Sequence, residues 1–88
     1  MGNAVKVGNI DTGHGSHPPT SVVAGSSTVK VDGLPLARQG DPLAPHGHSR
    51  IISGGSSSVF IDGKPAARTG DAVSCGGVMI GGGSVTIG

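Results

Sequence analysis

The chain has 88 residues and a formal net charge of +1, which allows one small domain and argues against a broad basic surface. Glycine, serine and proline together make about 40% of it, a load that without a period signals disorder. Val and Ile outnumber Leu, Phe, Trp and Tyr, which favours pleated surfaces and argues against a helical bundle.

Several function classes drop out at this level. No run approaches the ~18–20 apolar residues of a membrane span, so no stable membrane anchoring is expected. The opening MGNAVKVGNIDTGHG lacks an apolar core and is not a secretory signal peptide. Without a basic stripe or aromatic platform, nucleic-acid binding is not expected. The single cysteine, Cys75, excludes an intramolecular disulfide, yet a domain this small needs some staple.

In chain order, Val5-Lys6-Val7-Gly8-Asn9 comes first, followed by a connector from Ile10 to Ala24. Residues 25–41, GSSTVKVDGLPLARQGD, are then repeated at 55–71 as GSSSVFIDGKPAARTGD. Eleven of these seventeen positions are identical, at an offset of 30 residues. Such an offset marks one supersecondary unit used more than once. Within each copy, Val29 and Val31 flank Lys30, and Val59 and Ile61 flank Phe60, the alternation of a strand with one buried face. Asp32-Gly33 and Asp62-Gly63 predict type I′ turns, which require positive φ at both central residues. Pro35 and Pro65 place the return strand at an edge, because proline donates nothing to a ladder.

The connectors 42–54 and 72–82 separate these copies from the C-terminal Gly83-Ser84-Val85-Thr86-Ile87-Gly88, which repeats the first half of the unit. Residues 4–9 match its second half, with Lys6 for arginine and Asn9 for aspartate. The expected organisation is one domain, 1–88, with units at 25–41 and 55–71 and a third split between 4–9 and 83–88. The fold class is all-β: a small pseudo-threefold body of three short hairpin repeats. Two tandem hairpins with a tail is the alternative.

His14, His17, His46, His48 and Cys75 all fall in the connectors. Connectors meeting at one end would bring three histidines and a thiolate together as a closed tetrahedral zinc site, structural rather than catalytic. Zinc binding of about 10–16 kcal/mol would supply the missing staple. The alternatives are solvated loop histidines and a small buried cysteine. No standard zinc-finger spacing is present, and spacing alone does not select zinc over another transition metal.

Pro65-Ala66-Ala67-Arg68 is the PAAR tetrapeptide, and Pro35-Leu36-Ala37-Arg38 is a degenerate copy. With Gly13-His14 before Pro18-Pro19, Pro45-His46-Gly47-His48 and Cys75-Gly76-Gly77, the whole chain resembles the PAAR-repeat proteins that tip type VI secretion spikes. The resemblance implies a cone of short strands converging on a zinc-bound vertex, with one structural Zn2+ held by His14, His46, His48 and Cys75. His17 is left outside that set because it does not follow the family pattern. Also implied is a non-enzymatic role: capping and sharpening a trimeric valine-glycine-repeat spike protein, one chain per trimer, for membrane puncture. Effector proteins would dock as separate chains, since 88 residues leave no room for a toxin domain. Localisation would be the bacterial cytoplasm before firing, then export on the spike to the extracellular space or target cell. A phage or related contractile-tail tip is the alternative. A zinc-dependent hydrolase would need an open coordination position and a general base of the His-Glu-x-x-His kind, and the sequence has no glutamate.

Overall fold

The computed structural model describes residues 2–13, 18–45, 49–74 and 76–88. Among them there is no helix, and ten two-residue strands pair into five antiparallel sheets. The Asp-Gly turns organise the first group. β3 (Lys30–Val31) pairs β4 (Leu34–Pro35), and β7 (Phe60–Ile61) pairs β8 (Lys64–Pro65). Asp32 and Gly33 sit at φ 54° and 81°, Asp62 and Gly63 at 54° and 80°, as a type I′ turn demands.

A matching pair forms from the two ends of the sequence. β1 (Gly2–Asn3) lies against β10 (Thr86–Ile87), with Gly2 opposite Ile87 and Asn3 opposite Thr86. This is a hairpin ladder without a covalent turn inside it.

These three ladders meet where residues of the tetrapeptide and its counterparts converge. The Val5 amide donates to the Ala67 carbonyl at 3.2 Å, the Ala67 amide to the Ala37 carbonyl at 3.0 Å, and the Ala37 amide to the Val5 carbonyl at 2.8 Å. The three hydrogen bonds close a ring, and all three residues are fully buried. Two of the three are alanine and the third is Val5, so this buried ring is built from compact apolar side chains. A second set runs in the opposite sense: Val7 donates to Pro35, Gln39 to Pro65 and Thr69 to Asn3. The prolines, unable to donate, serve as acceptors.

The connectors contain further pairing that the sequence reading left as loops. β2 (Ile10–Asp11) pairs β9 (Met79–Ile80), and β5 (Pro42–Leu43) pairs β6 (Arg50–Ile51). Bridges Ile10↔Ser21, Ala72↔Val78, Val22↔Leu43 and Ile52↔Val73 extend this layer. Segments of two residues are too short for alternation to show, so no periodic signal announced them.

Two apolar clusters fill the interior. Ala4, Val31, Leu36, Ala66 and Ile87 lie on the side of the Asp-Gly turns. Val5, Val22, Ala37, Leu43, Ile52, Ala67, Val73 and Met79 form the other. Ala66 and Ala67, adjacent in sequence, therefore belong to different clusters. The principal extents are 32 × 22 × 21 Å.

Candidate functional site

Around the turn-side cluster, each hairpin is tied to the next by a hydroxyl and a cation that share an acceptor: a turn aspartate in two cases and the Gly88 carbonyl in the third. Ser26 Oγ donates to Asp62 Oδ2 at 2.5 Å, joined by Thr28 Oγ1 to Asp62 Oδ1 at 2.6 Å and Arg38 Nη1 to Asp62 Oδ2 at 3.0 Å. Ser56 Oγ and Arg68 Nη1 donate to the Gly88 carbonyl at 2.5 and 3.1 Å. Ser84 Oγ donates to Asp32 Oδ1 at 2.6 Å, and Lys6 Nζ to Asp32 Oδ2 at 3.1 Å. The first hairpin thus holds the second, the second holds the terminal pair, and the terminal pair holds the first. Ser26 and Ser56 also accept the amides of Val29 and Val59, at 2.9 Å each, fixing the entry to their own strands.

The electrostatics follow from these contacts. Hydrogen bonds from the Ser84 hydroxyl and amide, with Lys6, hold the Asp32 carboxyl down to about 2, against an ordinary 3.8. Ser26, Thr28 and Arg38 lower Asp62 in the same way. Arg38 and Arg68 are also clasped by aspartates of their own unit. Arg38 Nε and Nη2 reach both oxygens of Asp41 at 3.0 Å, and Arg68 Nε and Nη2 reach those of Asp71 at 3.2 and 2.9 Å. Bidentate pairing of this kind raises both guanidinium pKa values. The same aspartates accept the arginine amides, closing the turn; Asn9 does so for Lys6 at 3.0 Å. Local pairing of Arg38 with Asp41 and of Arg68 with Asp71, expected from the sequence, is therefore what these residues do.

At the opposite end, the flanks of the connectors approach one another. Val78 donates to Thr12 Oγ1 at 3.1 Å, and Ile51 to Ser74 Oγ at 3.0 Å. Between them lies an ion pair with no counterpart in the sequence reading: Arg50 Nη2 donates to Asp11 Oδ2, and both side chains are fully buried. Thr20 links the two, accepting from Arg50 Nη1 at 2.7 Å and donating its amide to Asp11 Oδ1 at 2.9 Å. Burial pushes the Asp11 carboxyl up, but hydrogen bonds from Arg50, Thr20 and Gly13 outweigh it and bring it down.

The residues picked from the sequence as ligands, His14, His46, His48 and Cys75, and the excluded His17, lie outside the described residues. Among the described residues, no group of three or more His, Cys, Asp or Glu could hold a metal ion. The expected structural Zn2+, and the zinc-bound vertex with it, are corrected on that finding. The hydrogen-bonded ring and the ties between hairpins cross-link segments distant in sequence.

The PAAR-motif family model matches residues 12–81. The chain belongs to the PAAR-motif family. No curated protein matches the sequence. PAAR domains are structural, non-catalytic modules, and this domain is one of them. In this PAAR domain the tetrapeptide has four distinct roles: Pro65 accepts from a neighbouring hairpin, Ala66 and Ala67 fill separate clusters, and Arg68 ties its own turn at Asp71 to Gly88 of the terminal pair. None of the described residues forms a helix long and apolar enough to cross a membrane.

Proposed function

We propose that this PAAR domain is the non-enzymatic tip of a type VI secretion spike, seated one chain per trimer on a valine-glycine-repeat spike protein. The observation that carries this reading is the closed ring of Val5, Ala37 and Ala67. One chain repeats one contact pattern three times about a single line, which is the arrangement that can face a threefold partner without mismatch. On this reading residues 1–88 form one pseudo-threefold, conical domain of three units, the third split between 4–9 and 83–88. The tight ties between hairpins suit a body that must resist deformation during puncture. Effector proteins would ride as separate chains. The protein would await firing in the bacterial cytoplasm and leave on the spike.

Native mass spectrometry of the domain co-expressed with a trimeric spike protein tests this. One PAAR chain per three spike chains is expected. Three chains per trimer, or no complex, would overturn the reading.

A further inference from the structure

The buried Asp11–Arg50 pair breaks the likeness of the three hairpins in the connector layer. Asp11, Leu43 and Val73 occupy matched places there: Asp11 N donates to Thr20 O, Val73 N to Gly77 O, and Leu43 pairs Arg50. Two of these places are apolar and one is acidic. Their partners, Thr20, Arg50 and Gly77, differ just as sharply. An ideal Cβ on Gly77 would lie 3.0 Å from Asp11 Oδ2 and 2.9 Å from the Gly13 carbonyl, so glycine there leaves the carboxylate its space.

The turn-side layer offers no such distinction. Residues 25–41 and 55–71 share eleven of seventeen positions and the same ladder register. Segments so alike can exchange places, within one chain or between copies, at little cost to that layer. We infer that the Asp11–Arg50–Thr20 network is the device that assigns each hairpin its place. Any arrangement that separates Asp11 from Arg50 while keeping them buried leaves an unpaired charge and is rejected.

The test compares Arg50→Leu, Asp11→Leu and the double variant Asp11→Leu/Arg50→Leu, with Arg50→Lys as the charge-retaining control. Each single leucine variant is expected to lose the folded state under conditions where the parent is folded. The double variant is expected to regain a cooperative thermal transition, because an apolar pair replaces an ionic one. Its amide spectrum should nonetheless show more than one resonance for Val5, Ala37 or Ala67, or its mass should include swapped oligomers. Arg50→Lys should give one monomeric species. A double variant that is monomeric with a single set of resonances would overturn the inference. So would a double variant that stays as unfolded as the singles, since the pair would then serve stability alone.

Discussion

The hydroxyl of Ser26 lies 2.5 Å from the carboxylate of Asp62, a residue 36 positions later that opens the turn of the next hairpin. One buried oxygen therefore sets the start of its own strand and fastens the turn of its neighbour.

Ser26→Ala should destabilise the domain by about 1–3 kcal/mol, since it leaves the Val29 amide and the Asp62 carboxylate without their shared partner. Ser27→Ala, one residue along and exposed, should stay within about 0.5 kcal/mol. Urea denaturation of both variants measures the contrast. Equal losses would mean the hydroxyl ties do not carry the stability assigned to them.

Ala67→Leu should cost about 1–3 kcal/mol or more, because Ala67 is fully buried in the core cluster and its backbone is held in the ring, so a longer side chain overpacks it. Lys64→Ala, three residues earlier and exposed, should leave the urea midpoint nearly unchanged.

Acid should weaken the fold through Asp32. Its folded value is depressed to about 2 from an ordinary 3.8, so between those values the unfolded chain binds more protons than the folded one. The contribution is complete above the ordinary value and disappears as pH falls through the folded one. Asp62 is shifted in the same direction and adds to the effect. Thermal midpoints measured from pH 5 down to pH 2 should fall. In Ser84→Ala the fall should be shallower, since without the hydroxyl, the largest contributor to the depression, the folded value moves back toward the ordinary one.

Two glycine substitutions should fail for different reasons. Gly33→Ala meets no atom within 4 Å but must hold φ at +81°, costing about 1–2 kcal/mol. Gly25 does not lie at positive φ, yet the Cβ of Gly25→Ala would stand 2.7 Å from the Leu36 carbonyl oxygen. Backbone must then move, and the loss should reach the upper end of the about 1–3 kcal/mol of an overpacked site. Gly33→Asn separates the two causes: asparagine tolerates positive φ and should recover part of the loss.

What could be read from the sequence was what is local. Asp-Gly turns follow from the φ values two adjacent residues can adopt, and Arg38 meets Asp41 three residues away. The ties between hairpins join Ser26 to Asp62, Ser84 to Asp32 and Ser56 to Gly88, across 36, 52 and 32 residues, and no spacing rule connects them. Asp11 and Arg50 stood outside the repeat and 39 residues apart, so neither marked the other. The serines were visible as an identical Gly-Ser-Ser in both copies, a signal that could have suggested a shared contact.

The pairing of β1 with β10 also governs when the fold can be completed. Gly2 finds its partner only when Ile87 has been made. Until then Val5 can enter the ring, but the strand carrying it has no ladder of its own and the Asp32 carboxylate lacks Ser84. The β3–β4 and β7–β8 hairpins close locally, but the β1–β10 ladder joins residues from opposite ends of the sequence. Completing the fold thus depends on contacts of high sequence separation, slow relative to a helical domain of equal length.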